Sequence, residues 1–236
     1  MSKLIIYGDI HGCYDELVRL RQKINPKKND IEICVGDIIT RGKDSIKTLR
    51  YLQSNNIKSV LGNHEDKLIR YLNHQKINKQ NPIVLNDDEK DIIDTLKSVD
   101  IDFLQNMPLI MKFGNIVILH GGLQNRQNID KVSKKDQAKI MRMRFLDKNH
   151  NFVSFGQEDE ESVFWADVYN GDQGFVVYGH QVFDEVKINK YALGIDTGCV
   201  YGNKLSAVIF ANTQNKDFSI VQTNSLIDCQ VLSQLR

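Results

Sequence analysis

Along the first third of the chain, short apolar runs alternate with polar loops and with stretches whose apolar residues recur at helical spacing. Leu4-Ile5-Ile6-Tyr7 is β-prone and ends in the loop Gly8-Asp9-Ile10-His11-Gly12. Leu17, Leu20 and Ile24 then predict a helix that Pro26 stops. The unit recurs with an apolar run at 31–35, a loop from Gly36 to Gly42 and a helix marked by Ile46, Leu49 and Leu52. It recurs once more with a run at 58–61, the loop Gly62-Asn63-His64-Glu65 and a helix from Glu65 to about Leu72. Strands alternating with helices predict parallel strands joined by crossovers, and ligands of such sheets collect beyond the carboxyl ends of the strands. All three polar loops lie at those ends.

From Asn73 to Asp88 the chain is rich in Asn, Gln and Lys, which predicts a surface loop, and 89–106 reads as helix. Strands follow at 109–113 and 116–119, the second ending in His120-Gly121-Gly122. Further strands are expected at 175–178, ending in Gly179-His180, and at 192–195, 205–211 and 218–223. The expected fold is α/β: two packed β-sheets, a sandwich, flanked by helices, with the polar loops at the strand C-terminal ends. Residues 1–236 are expected to form one domain, with no internal repeat beyond the strand-loop-helix unit.

Composition narrows the function classes. Lys plus Arg number 31 against 30 Asp plus Glu, a net charge of +1, which argues against a general nucleic-acid or membrane-surface binder. With 41% hydrophobic and 26% charged residues, 3 Pro and 15 Gly, the chain is an ordinary globular one. No apolar run approaches the ~18 residues of a membrane span, and the first strand is too short for a signal peptide, so a cytoplasmic protein is expected. Cys13, Cys34, Cys199 and Cys229 form no CxxC pair, and reduced thiols are expected. Cys13 and Cys199 read either as small apolar fillers or as oxidation-sensitive groups.

Candidate chemistry concentrates in five loops that follow strands. They present Asp9 with His11, Asp37, Asn63 with His64, His120, and His180. Carboxylate and imidazole suit Mn, Fe, Zn or Co, and the absence of cysteine from these positions argues against a thiolate zinc site. Two metals ~3.5–4 Å apart need a shared ligand, which a carboxylate supplies.

The ordered set GDIHG, GDIITRG, GNHED, HGG and GH resembles the calcineurin-type metallophosphoesterases, specifically their phosphoprotein phosphatase branch. It spans residues 8 to 180, with 28 residues from Asp9 to Asp37 and 26 from Asp37 to Asn63. The resemblance implies a metallophosphatase fold with two divalent ions, manganese expected first, with iron, zinc, cobalt or nickel as alternatives. Asp9, His11 and Asp37 would hold the first ion, and Asp37, Asn63, His120 and His180 the second, Asp37 being the bridge. His64 would protonate the leaving oxygen, and Arg41 would clamp the phosphate. One position departs from the family's GDxxDRG, in which the second Asp supports the acid histidine: this chain has Thr40. Either weaker acid assistance or a replacement carboxylate, Glu65 or Asp66, is expected.

Past His120, the stretches Arg142-Met143-Arg144-Phe145, Phe164-Trp165-Ala166-Asp167 and Ile195-Asp196-Thr197-Gly198-Cys199-Val200-Tyr201-Gly202 resemble bacterial diadenosine tetraphosphatases and related small bacterial protein phosphatases. The resemblance makes Arg144, and after it Arg142, candidates for a second phosphate clamp; for Arg142 an exposed helix face competes. Leu123 to Lys148 holds 8 basic and 3 acidic residues, a surface that attracts polyphosphate, whereas Glu158 to Asp172 has 6 acids and no base and reads as solvated. Tyr201 is the candidate platform for an adenine, and Trp165 is as readily a core residue. The expected function is hydrolysis of diadenosine tetraphosphate or a similar polyphosphate; the alternative is a protein Ser/Thr or dual-specificity phosphatase. A binding module with a decayed site is the third reading, opposed by the complete donor set. Neither a stable nucleic-acid partner nor a membrane is implied, and the sequence sets no oligomeric state.

Overall fold

The computed structural model describes residues 2–77, 80–214 and 217–227, so Cys229 lies outside the described residues. The first three strand-helix units are β1 (Leu4–Tyr7), α1 (Tyr14–Ile24), β2 (Ile31–Cys34), α2 (Ser45–Ser54), β3 (Lys58–Ser59) and α3 (Asn63–Gln75). After them come α4 (Asp87–Thr95), α5 (Ser98–Gln105), β4 (Ile110–Phe113), β5 (Ile116–Leu119) and α6 (Lys134–Arg142). The last part holds β6 (Phe145–Leu146), β7 (Phe152–Val153), β8 (Val163–Phe164), α7 (Trp165–Val168) and β9 (Phe175–Tyr178). It closes with β10 (Lys187–Ile188), β11 (Ala192–Gly194), a 3-10 turn at Cys199–Tyr201, β12 (Lys204–Phe210) and β13 (Phe218–Asn224).

Two five-stranded mixed sheets form the centre, in the orders β13-β12-β1-β2-β3 and β10-β11-β9-β5-β4. β1, β2 and β3 are parallel, as are β5, β9 and β11, whereas β12 runs antiparallel to both β1 and β13, β10 to β11 and β4 to β5. The period of two along each strand sets the layering. Leu4, Ile6, Ile33 and Val35 face Ile116, Ile118, Phe175 and Val177 between the sheets. Ile5, Tyr7 and Cys34 point the other way, against Leu17, Leu20, Leu49 and Leu68 of the helices. Val117, Leu119, Val176 and Tyr178 on the far face of the second sheet pack under Ile140, Trp165 and Ala166. Sheets covered on both faces need apolar residues at consecutive positions, which is why these strands read as continuous runs rather than alternations.

Three expectations are corrected. The helix read over 89–106 is two helices, because Leu96 is extended and the Asp100 carboxylate accepts the Lys97 N–H, restarting the helix there. α3 begins at Asn63 rather than Glu65, and the Asp37 carboxylate accepts the His64 N–H that opens it. A third sheet, β7-β6-β8, was not anticipated; strands of two residues are too short to display a period.

Candidate metal centre

β1, β2, β5 and β9 end side by side, and the backbone turns sharply at each end. His11, Asp37, Thr40, Arg41 and His180 all have positive φ, between 47° and 71°. Side-chain-bearing residues in that region store strain, and a cluster of them marks a site whose surroundings over-determine it. Gly179 is required by its neighbours, since a Cβ there would collide with the Asp9 carboxylate.

Asp37 stands at the centre. Its Oδ2 is 3.2 Å from His120 Nε2, 3.6 Å from His11 Nε2 and 3.9 Å from His64 Nε2. Burial works against its charge, yet the three imidazoles hold its carboxyl well below the usual range. Glu65, fully buried, accepts the N–H groups of Asp37, Ile38 and Ile39 at 2.9, 2.9 and 3.2 Å, which fixes the loop carrying Asp37. Asp9 takes the His180 N–H at 3.1 Å. Burial, then Asp196 and Asp37, push the Asp9 carboxyl up.

The histidines are oriented through their Nδ1 atoms. His11 Nδ1 is 3.2 Å from the Ile39 carbonyl and His120 Nδ1 is 2.9 Å from the Val35 carbonyl. An imidazole that donates Nδ1–H to a carbonyl leaves Nε2 bare for a cation, the arrangement that orients metal-bound histidines. His120 Nε2 also lies 3.0 Å from Asn63 Oδ1. His180 Nε2 is buried without a hydrogen-bond partner. Burial depresses the pKa of His11 to about 3 and that of His180 well below normal, so both are bare bases at neutral pH.

Two trios of donor atoms thus converge, His11 with Asp37 and His64, and Asp37 with His120 and His180, each within 4.8 Å. They share Asp37. Asp9 stands outside both trios with its carboxylate against the His180 backbone, and His64 falls inside one. Oxygen and imidazole donors around a shared carboxylate, with an orphaned His180 nitrogen among them, fit a pair of divalent ions.

The centre opens into a cavity of about 1080 Å³ that Arg41, Arg142, Arg144, Phe155 and Tyr201 also line. Arg41 donates through a terminal nitrogen to the Tyr201 hydroxyl, its guanidinium carbon 5.4 Å from the Tyr201 ring centre. Its Nε is 3.4 Å from His64 Nε2. Arg144 donates Nε–H to Gln181 Oε1 at 2.8 Å and Nη2–H to the His180 carbonyl at 3.4 Å. Arg142 pairs with Asp66 at 3.2 Å.

Thr40 Oγ1 is 2.5 Å from His64 Nδ1. Neither expected replacement carboxylate is there: Glu65 is committed to backbone N–H groups, and Asp66 is held by Arg70 and Arg142. Trp165 is buried in the core, away from the cavity lining, so only its core reading stands. Asp196 was missed as a site residue. It is buried beside Asp9, lines the cavity, and burial raises its pKa to about 6. Its signal was present, an acid directly after a strand, as at Asp9. Phe155 carried no signal in the sequence at all. Cys13 and Cys199 are buried side by side with Glu16, and the contact with Cys13, then burial, raise the Cys199 thiol.

The family model described as calcineurin-like phosphoesterase matches residues 2–211. A relative from Oceanobacillus iheyensis named bis(5′-nucleosyl)-tetraphosphatase PrpE, asymmetrical, is 31% identical, covering 88% of this chain and 88% of its own. A crystal structure assigned as a diadenosine tetraphosphatase superposes with a TM-score of 0.78 at 24% identity, over 95% of this chain and 94% of that one. A protein serine/threonine phosphatase of Saccharomyces cerevisiae superposes at 0.60 with 16% identity, over 96% and 81%. These two structures share the two-sheet fold described above. Among the described residues no helix is long and apolar enough to cross a membrane.

Proposed function

The chain belongs to the calcineurin-like phosphoesterase family, a family of phosphoric ester and anhydride hydrolases that use divalent metal ions, and from that premise we propose that it hydrolyses bis(5′-nucleosyl) tetraphosphates, diadenosine tetraphosphate first among them. The observation that carries the reading is the pair of donor trios sharing Asp37 at the floor of a cavity walled by Arg41, Arg142 and Arg144. A tetraphosphate bridge needs several cations, and Arg41 and Arg144 supply them beyond the metal pair, Arg142 being paired with Asp66. The Oceanobacillus relative's name extends the reading to an asymmetrical cut, giving a nucleoside triphosphate and a nucleoside monophosphate. Residues 1–236 are taken as one domain, a reading supported by the 2–211 match.

In this reading Asp9, His11 and Asp37 would hold one divalent ion and Asp37, Asn63, His120 and His180 the other. Manganese is the expected metal, iron, zinc, cobalt and nickel being compatible with the same donors, and the cytoplasm is the expected compartment. When bound, the ions polarise the phosphate and lower the pKa of a water that serves as nucleophile. The chain's own groups do the rest. Arg41, held by Tyr201, grips two oxygens of the phosphate under attack, and Arg144 grips a neighbouring phosphate. His64 delivers a proton from Nε2 to the leaving oxygen once the Arg41 Nε–H that donates to Nε2 turns to the phosphate, its Nδ1 anchored on Thr40. Water is added across one P–O–P bond, so the leaving group is a phosphate oxygen, already stable as an anion near neutral pH. A serine or threonine leaving oxygen is far more basic and needs full protonation. A neutral hydroxyl in place of a carboxylate behind His64 therefore suits an anhydride better than a phosphoprotein.

The test is kcat/KM on manganese-loaded protein for diadenosine tetraphosphate against phosphoserine and phosphotyrosine peptides. We expect the dinucleotide to lead by a hundredfold or more, about 2.7 kcal/mol of transition-state discrimination. Peptides ahead by that margin would overturn the reading and return the chain to the protein phosphatase alternative. Two nucleoside diphosphates among the products would overturn the asymmetrical cut alone.

A further inference from the structure

The cavity is lined by four aromatic side chains, and three of them are already engaged. Tyr201 has its face covered by the Arg41 guanidinium. Phe183 meets Phe164 and Tyr178 edge to face at 5.8 and 6.4 Å. Phe152, in β7, packs onto the core under the second sheet. Phe155 differs: it is 81% exposed, with the Arg144 guanidinium carbon 5.0 Å from its ring centre.

An aromatic ring left in water at the mouth of a charged cavity has a face to offer. The local fold explains why it stands there. β6 and β7 pair antiparallel with Phe145 opposite Val153, so Arg144 and Phe155 emerge from the same open end of that ladder. Arg144 reaches back from this end to the His180 carbonyl, on the rim of the metal centre. One guanidinium thus touches both the ligand rim and the Phe155 ring, and a chain of phosphates gripped by Arg144 delivers its terminal nucleoside to that ring.

We infer that Phe155 is the stacking platform for a purine base of the bound dinucleotide, with Arg144 as the joint between the polyphosphate and base subsites. The base lies on the ring face not used by Arg144. Stacking on an aromatic face accepts any base and favours the larger purines. Tyr201 is then released from the base-binding role expected of it and serves as the anchor of Arg41. The inference rests on the tetraphosphatase reading.

The experiment compares wild type, Phe155→Ala and Phe155→Trp on diadenosine tetraphosphate, inorganic tetraphosphate and 4-nitrophenyl phosphate. For Phe155→Ala we expect KM for the dinucleotide to rise on the order of tenfold with kcat kept. The KM rise should be largest for the dinucleotide, smaller for inorganic tetraphosphate, which loses only the support that the ring gives Arg144, and smallest for 4-nitrophenyl phosphate, and Phe155→Trp should restore the dinucleotide KM. A Phe155→Ala enzyme equal to wild type on all three would overturn the platform while leaving the tetraphosphatase reading intact. Equal losses on all three would assign Phe155 a structural role instead. A wild type inactive on the dinucleotide would remove the tetraphosphatase reading and the platform with it.

Discussion

Thr40 Oγ1 lies 2.5 Å from His64 Nδ1, so the histidine proposed as the acid is held by a neutral hydroxyl. Burial depresses the His64 pKa, Asp37 opposing and Arg41 reinforcing that shift. A carboxylate at position 40 adds an opposite charge at hydrogen-bond distance and raises the pKa of His64 by about one unit or more. Thr40→Asp should therefore move the basic limb of the kcat/KM profile up by about one pH unit. It should also raise turnover of alkyl phosphates by about tenfold while leaving the anhydride nearly unchanged. Thr40 has φ of 71°, where a β-branched residue is strained and Asp is better tolerated, so the melting temperature should not fall. Unchanged profiles on both substrates would show that the hydroxyl already suffices.

Asp37 gathers three imidazoles within 4 Å of one oxygen while its other oxygen accepts the His64 N–H. Asp37→Asn preserves shape and removes the charge that both proposed ions share. We expect bound metal, counted by elemental analysis after desalting, to drop from two equivalents to below one, with turnover falling at least a thousandfold. Two retained equivalents would exclude Asp37 as the bridge.

Much of this was legible because the chemistry sits where periodicity breaks. The parallel strands β1, β2, β3, β5 and β9 each lead into a Gly-bounded polar loop, and the run of apolar positions announces where the loop must begin. Asp9, Asp37, His120 and His180 were readable for that reason, and the structure brings them together from positions as far apart as 9 and 180. Asp196 shares the same placement, one residue past the end of an apolar run, but no flanking histidine or asparagine marks it as a donor. Phe155 and the third sheet were illegible, since two-residue strands carry no period and an exposed ring in a polar turn resembles an ordinary surface hydrophobe. Of the two expectations for His64, the Thr40 hydroxyl is its partner and the replacement carboxylate is absent, because side-chain adjacency in sequence, Glu65 and Asp66, says nothing about direction in the first turn of a helix. There Glu65 points back to the Asp37 loop and Asp66 outward to two arginines.

Buried acids beside the centre make metal binding pH-dependent. Burial, then Asp196 and Asp37, raise the pKa of Asp9, and burial raises that of Asp196 to about 6. With folded values above unfolded ones, these protons stabilise the metal-free fold at low pH, and that contribution is lost as pH rises, for Asp196 through about 6. Divalent ions replace the departing protons, whereas His11, whose pKa is about 3, has none to lose. The manganese-induced rise in melting temperature should accordingly be larger at pH 7.5 than at pH 5. One proton per unit between 5 and 6 corresponds to about 1.4 kcal/mol, or roughly 3–6 °C for a domain of this size. A rise that is equal at both pH values would argue that Asp9 and Asp196 are already ionised without metal.

Arg41 reaches the cavity through strained backbone, with φ of 67°, and is steadied by the Tyr201 hydroxyl and ring. Tyr201→Phe keeps the ring under the guanidinium and removes only the hydroxyl acceptor. The loss of one hydrogen bond to a charged group, about 1.5 kcal/mol after part of the grip survives through the ring, should raise KM about tenfold for every phosphate substrate. Base-free inorganic tetraphosphate is included in that expectation. Tyr201→Ala should cost more on the same substrates, because the guanidinium then loses both supports. A Tyr201→Ala enzyme weakened only toward dinucleotides, with Tyr201→Phe indistinguishable from wild type, would instead make Tyr201 the base platform and leave Arg41 to position itself.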